Sequence, residues 1–263
     1  MENLRFKNQS GLLDVEKLNT PVLVVGAGAI GSFYVMTLAK MGFKDILVYD
    51  SDKIEDHNIA NQMYPEYYKG MEKVEALQKV TDAYAGVKIK FINKFWHPDN
   101  AQIADIVVMA TDNMDARIAI WNYYKDKENV RLIVDGRMGA QVSRAYSVDM
   151  SKNDEKAFYQ STLYPQKDAT PDRCTMKSII FTVLGVGSDM LSMTKQFVMN
   201  EPRPSELIRD YVNHTLFPEF VGRVDPTIEE NEQPGEVGGA NAPESGVGQD
   251  QPQGSNEVIA QGA

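Results

Sequence analysis

Cysteine is nearly missing from this chain. Among 263 residues there is one, Cys174, which excludes an internal disulfide framework and any zinc site built from paired cysteines. Long apolar runs are missing as well. None approaches the roughly 18 residues of a membrane span, and Met1–Ser10 lacks the apolar core of a signal peptide. A cytoplasmic protein without membrane association is the expectation. Positive charge is scarce: 27 Lys and Arg face 37 Asp and Glu, for a net charge of −10. A basic nucleic-acid-binding surface is not expected from that balance. The three histidines, His57, His97 and His214, lack metal-ligand spacing, and no Ser-His-Asp or paired-carboxylate arrangement stands out.

The negative charge is unevenly spread. Asp225 to Ala263 holds eight acids and no Lys or Arg. Without those eight the remainder carries about −2, close to neutral. From about Pro226 the chain is rich in Gly, Pro, Gln, Asn and Glu and has no aromatic residue. Such a segment buries too little apolar surface to offset the entropy of ordering it, so residues 225–263 are expected to form a disordered acidic tail. Residues 1–224 are expected to form one α/β domain, with no further catalytic domain between Pro218 and the tail. The last residues, Gln261-Gly262-Ala263, are not the diglycine end of a ubiquitin-like modifier.

Within 1–224, short apolar runs alternate with segments of helical periodicity. Val22–Val25, Asp45–Tyr49, Lys88–Asn93, Ile106–Ala110 and Arg131–Asp135 read as strands. Ile30–Met41, Met71–Tyr84 and Met114–Lys125 read as helices, with a short one at Asn100–Ile103. This order predicts right-handed β-α-β units: a Rossmann-like, doubly wound, mostly parallel sheet. Gln141–Val148 is expected to add an antiparallel extension. Met176–Met199 reads as a long helix stopped by Pro202 and Pro204, with a short helix restarting over Ser205–Tyr211.

The densest signal is Pro21 to Asp50. Gly26, Gly28 and Gly31 form G-x-G-x-x-G directly after the apolar run Val22–Val25, and Asp50 ends the next strand, 19 residues beyond Gly31. Between a strand and a helix, this pattern points to a nucleotide. Glycines let the backbone approach phosphate, the helix N-terminus attracts the anion, and the acid accepts a ribose hydroxyl. On these residues alone an NAD(P)-dependent oxidoreductase and an ATP-using enzyme are both open.

Three further blocks follow in order: YDSDKIEDHNIANQ (49–62), GMEKVEAL (70–77) and ATDNMDAR (110–117). With VLVVGAGAIGS (22–32) they resemble the ThiF/MoeB/HesA group, which includes the adenylation domains of ubiquitin-activating enzymes. The resemblance covers about residues 20–200. It implies ATP-dependent adenylation of the C-terminal carboxylate of a small ubiquitin-like or sulfur-carrier protein ending in Gly-Gly, usually by a homodimer. By matching position, Gly26, Gly28, Ala29 and Gly31 would lie under the phosphates and Asp50 would bind ribose, with Asp52, Asn58, Asn61 and Gln62 around the nucleotide. Lys73 would place a positive charge on the phosphates. Asp112 would serve magnesium and the triphosphate, with Asn113 closing over the nucleotide. Each has a plainer alternative: Lys73 as a surface lysine, Thr111-Asp112-Asn113 as a helix cap, Arg117 as the partner of a nearby acid. Arg137, in DGRMGAQ, is a candidate for a substrate or phosphate contact.

Departures from the family pattern matter as much. Asn61 stands where the family often has a phosphate-contacting arginine, and Asn8 where a second arginine reaches the partner subunit's site. Asparagine donates a hydrogen bond but brings no charge. Either Lys7, Arg137 and Arg144 compensate, or the chain binds nucleotide without adenylating and serves as a partner-binding or regulatory module. No zinc is expected. Cys174 matches a family cysteine that in some members accepts the activated protein, and Arg173 and Lys177 beside it would favour thiolate; its other reading is a buried small apolar residue.

Overall fold

A computed structural model describes residues 4–9, 11–168 and 179–222. Four apolar runs become the centre of the sheet: β1 (Val22–Val25), β2 (Ile46–Tyr49), β4 (Ile106–Met109) and the first half of β5 (Leu132–Gly139). With β3 (Lys90–Ile92) they pair in parallel. Strands covered on both faces need continuous rather than alternating apolar residues, as these have. Three antiparallel strands, β6 (Val142–Asp149), β7 (Glu206–Asp210) and β8 (Thr215–Glu219), extend the sheet. The order across its eight strands is β3-β2-β1-β4-β5-β6-β7-β8. Chain direction across the sheet reverses between β1 and β4. Open parallel sheets place ligands at the carboxyl ends of the strands beside such a switch point.

Helices cover both faces. The helices α1 (Ala29–Met41), α2 (Lys73–Ala85) and α5 (Ile180–Val198) pack on one side, where Val22, Val24, Ile46, Val48, Ile106, Val108, Leu132 and Val134 point. The alternate residues Leu23, Val25, Val107, Met109 and Ile133 meet Trp121 and Tyr124 of α3 (Met114–Tyr124) and Tyr159 of α4 (Asn153–Ser161) on the other. Period-two alternation thus divides each strand between two cores.

The expected fold class is therefore the observed one, while four local expectations are corrected. Ser205–Tyr211 is not a helix: Glu206–Asp210 is strand β7, paired along its length with β6. Pro202 and Pro204 end the preceding segment, and long-range pairing outweighs the local helix-start signal. The hairpin partner β8 was not anticipated; Pro218 interrupts its propensity and is tolerated because β8 is an edge strand. Asn100–Ile103 is not a helix but follows a single 3-10 turn at Pro98–Asn100. Helix α4 was also not anticipated. The long helix begins at Ile180, and the segment expected before it, with Cys174, lies outside the described residues, as does the expected tail.

One buried polar contact ties the helical layer together. The Thr194 hydroxyl donates to the Met190 carbonyl at 2.8 Å, so the 2.8 Å contact between Thr194 and the Tyr34 hydroxyl has Tyr34 as donor. Tyr34 is fully buried on α1 and Thr194 on α5. Tyr34→Phe keeps the ring and removes the bond between the helices. It is expected to lower stability by about 1 kcal/mol, read as a lower urea midpoint with an unchanged slope; an unchanged midpoint would contradict this account.

Candidate functional site

The three glycines of the β1–α1 turn have different reasons to be glycine. Gly26 has φ +103°, and a Cβ there would come within 2.5 Å of the Ala110 carbonyl oxygen on the neighbouring turn. A Cβ on Gly31 would collide with the Gly26 carbonyl. Both are required by packing. Gly28 differs: its φ is −77°, and a Cβ would meet nothing within 4 Å. It faces open space at the N-terminus of α1, where no side chain caps the first amides. Such an end favours an anion. The Tyr64 hydroxyl holds the turn by donating to the Ala27 carbonyl at 2.6 Å, and the Met63 amide donates to Ser32 Oγ at 3.0 Å.

Asp50 lies beside this turn at the end of β2. Its Oδ2 accepts from the Ala27 amide at 2.7 Å and its Oδ1 from the Asp52 amide at 2.8 Å. Burial raises its pKa above the ordinary value, against the pull of the two amides and Lys73. The carboxylate is thus aimed by backbone, with a second lone pair on each oxygen. Asp52, half-exposed, accepts from Lys73 Nζ at 2.8 Å, and the Lys73 amide donates to the Asp52 carbonyl at 2.9 Å. Lys73 is 7% exposed, so it is not the surface lysine that its charged neighbours suggested. Asn58 is buried in a structural role. Its Oδ1 accepts from the Glu55 amide, and its carbonyl accepts from the amides of Asn61 and Gln62. The oxygens Ser51 Oγ and Gln62 Oε1 are buried without a protein hydrogen bond. The uncapped helix end fits an anion, and the two buried oxygens fit a ligand that also carries hydrogen-bond donors; ATP has both.

Thr111, Asp112 and Asn113 follow β4, across the switch point. Asn113 caps α3, its Oδ1 accepting from the Ala116 amide at 3.1 Å. Capping by this triplet is therefore real, but only Asn113 performs it. The Asp112 carboxylate is exposed and makes no hydrogen bond or ion pair with the described residues. Among those residues no group of three or more His, Cys, Asp or Glu could hold a metal ion. A single free carboxylate still suits magnesium, which is usually held by one or two carboxylates with phosphate and water.

Beneath Asp112 lies a cluster of which the sequence indicated one part, Arg117 as the partner of a nearby acid, but not Asp135 as that acid or Arg137 and Tyr159 as its other partners. Asp135, fully buried on β5, accepts from Arg117 Nε at 2.9 Å, Arg137 Nε at 2.7 Å and the Tyr159 hydroxyl at 3.0 Å. Arg117 Nη2 also donates to the Gly136 carbonyl at 2.9 Å and to the Thr111 carbonyl, which anchors the turn before Asp112. Arg137 also donates through Nη1 and Nη2 to the Thr162 carbonyl and hydroxyl and lies over the Tyr146 ring. Both guanidiniums are bound to Asp135, so Arg137, the candidate for a substrate or phosphate contact, is already paired with a buried carboxylate. Arg144 pairs with Glu206 at 2.9 Å, and Lys7 sits on an exposed 3-10 turn, Leu4–Gln9. A signal for the cluster was available: Asp135 and Arg137, two apart on a strand, share one face.

Burial would raise the Asp135 pKa, but the two guanidiniums hold it below the ordinary carboxylate value. The sign follows: its contribution to stability is complete above the unfolded value near pH ~4 and is lost as pH falls through the lower folded value. Asp135→Asn leaves two buried cations short of their anion. It is expected to cost about 3–5 kcal/mol near neutral pH, with the difference from wild type shrinking below pH ~4. Denaturant unfolding from pH 3 to 8 checks both; a pH-independent difference would contradict the assignment.

This sheet, its switch point and its glycine turn define a Rossmann-like α/β protein. The ThiF family model matches residues 2–232, and the chain belongs to that family. It is 29% identical over 135 residues to rat ubiquitin-like modifier-activating enzyme 5, covering 44% of this chain and 34% of that protein. It is 35% identical over 105 residues to maize adenylyltransferase and sulfurtransferase MOCS3-1, covering 38% of this chain and 22% of that protein. The matched stretches thus span about a third or less of these curated relatives. Among solved structures, Escherichia coli MccB with AMPCPP and MccA superposes with a TM-score of 0.67 at 15% identity, over 85% of this chain and 73% of that one. PaaA gives 0.64 at 16% identity, over 80% and 67%. Among the described residues no helix is long and apolar enough to cross a membrane.

Proposed function

We propose that this chain uses ATP to adenylate the C-terminal carboxylate of a small ubiquitin-like or sulfur-carrier protein ending in Gly-Gly, as a cytoplasmic homodimer. The observation that carries this reading is the convergence at one switch point of an open Gly28, an amide-fixed Asp50, the buried Lys73 on Asp52, and an unpaired Asp112. A hydride-transfer site has no use for the last two. Membership of the ThiF family and partial similarity to activating enzymes and adenylyltransferases support it.

In this reading Asp50 accepts the ribose hydroxyls on the lone pairs that the amides leave free. The α1 amides and Gly28 lie under the phosphates, and Lys73 turns from Asp52 toward them. Ala29, Asn58, Asn61, Gln62 and Asn113 form the surrounding walls. Asp112 would hold a magnesium ion with the triphosphate's own oxygens, and that ion would neutralise phosphate charge. The carrier's carboxylate attacks the α-phosphorus and pyrophosphate leaves, so a poor electrophile gains a good leaving group. The backbone donors of the turn are prearranged and Lys73 alone has to swing, so little further reorganisation is needed as charge develops. Cys174 is the proposed acceptor should the acyl group move to the enzyme.

Gly28→Val is expected to leave the unfolding midpoint nearly unchanged while ATP affinity, measured by calorimetry with magnesium, falls at least about tenfold. Retained affinity would remove the phosphate from this turn. ATP–pyrophosphate exchange with a Gly-Gly-ended carrier tests catalysis. Asp112→Ala or Lys73→Ala is expected to reduce it by about 10²–10³. A second reading has its own observation: Arg117 and Arg137 are committed to Asp135, which leaves Lys73 as the cation joined to the glycine-turn side of the site. ATP binding with no exchange for any carrier would favour a nucleotide-binding regulatory module.

A further inference from the structure

A cavity of about 380 Å³ lies at the end of the sheet opposite the glycine turn. Its walls include Arg5, Phe6, Lys44, Gly86, Val87 and Lys88. Helices α1 and α2 end here, at Gly42 and Gly86, just before β2 and β3 begin. The glycine turn, Asp50 and Asp112 lie at the carboxyl ends of the strands, so the two sites are separated by the strand length. We propose that this cavity binds a phosphate group, free or as the head of a small organic molecule.

Three cations surround the cavity, and among the described residues no acid lines it. Among the described residues none of the three forms an ion pair, although neighbouring Lys90 does, with Asp45 at 2.8 Å. The plain explanation would be that the cations cap two helix C-termini. The backbone already performs most of that. Gly42 donates to the Leu38 and Ala39 carbonyls and Phe43 to Leu38, while Gly86 donates to Asp82 and Val87 to Thr81. Glycines with φ +120° and +61° make these left-handed caps. Arg5 alone adds to them, through Nη1 to the Ala85 carbonyl at 2.9 Å.

The charge balance favours an anion. Two helix C-termini supply roughly −0.5 each, against three full positive charges. About two positive charges remain, the charge of a phosphate dianion. The remaining Arg5 donors suit a tetrahedral oxyanion in the planar fork geometry, and the lysines add point charges. Phe6 and Val87, both buried, form an apolar wall for an organic body.

The test is titration of the full chain with inorganic phosphate and, separately, phenyl phosphate, read at backbone amides by NMR. Saturable shifts at Gly42 and Gly86 are expected, weakened about tenfold in Lys44→Ala/Lys88→Ala. Both lysines are exposed, so that variant keeps the fold. Tighter binding of phenyl phosphate identifies the small organic molecule; equal binding identifies free phosphate. Shifts that never saturate, that stay at Gly26–Gly31, or that survive the double substitution overturn the proposal. The nucleotide site reports separately at Gly26–Gly31, so either reading can fail alone.

Discussion

The Asp135 carboxylate is the constraint on which the rest of the site region rests. It is one buried anion for two buried guanidiniums and a phenol, and those partners come from α3, β5 and α4. Ionised groups this deep are tolerable only when each is fully paired. With the carboxylate accepting from all three partners, the cluster sets where α3 starts, because Arg117 holds the Thr111 carbonyl on one side and the Gly136 carbonyl on the other. The exposed Asp112 is thereby fixed by its backbone, while among the described residues its side chain makes no hydrogen bond or ion pair. A rigid base under this carboxylate suits the magnesium-holding role proposed for Asp112.

The same cluster limits the charge available to the proposed nucleotide. Cationic side chains near a triphosphate are useful only if their donors can turn toward it, and these two arginines cannot without stranding Asp135. With Asn61 at the position of a family arginine, the proposed phosphate environment relies, among the described residues, on backbone amides, the α1 end and Lys73. The construction is amide-rich and cation-poor. That composition suits binding more readily than acceleration, since acceleration needs charge stabilised more strongly in the transition state than in the ground state.

Much of the fold was legible because buried parallel strands and helices announce themselves at two different periods. Val22–Val25, Ile46–Tyr49 and Ile106–Met109 have no other plausible place. Gly26, Gly28, Gly31, Asp50 and Asp112 were legible as a set, although their separate reasons were not. Packing against Ala110 and Gly26 explains two of the glycines, and no sequence pattern distinguishes those from Gly28. What stayed hidden depended on long-range pairing. Strand β7 exists because β6 offers its edge, and a five-residue segment between a proline pair and a turn holds no decisive local signal. Lys73 looked like a surface residue because Glu72 and Glu75 flank it, whereas the bridge between Lys53 and Glu72 draws the start of α2 inward.

The Lys73–Asp52 pair then sets how readily the proposed site could change state. At 2.8 Å it is a close contact, but Asp52 is about half exposed, at 52%, while Lys73 is 8% exposed at its side chain. A pair with one wet partner is screened and gives little net stabilisation, typically under about 1 kcal/mol. The cost of burying the ammonium is borne whether it faces Asp52 or a phosphate, so exchanging one anion for the other forfeits only that small term. Asp50 is the opposite case, held by two amides and partly desolvated, with nothing to gain by moving. The proposed site thus combines a carboxylate fixed by backbone amides with a buried cation free to exchange Asp52 for another anion.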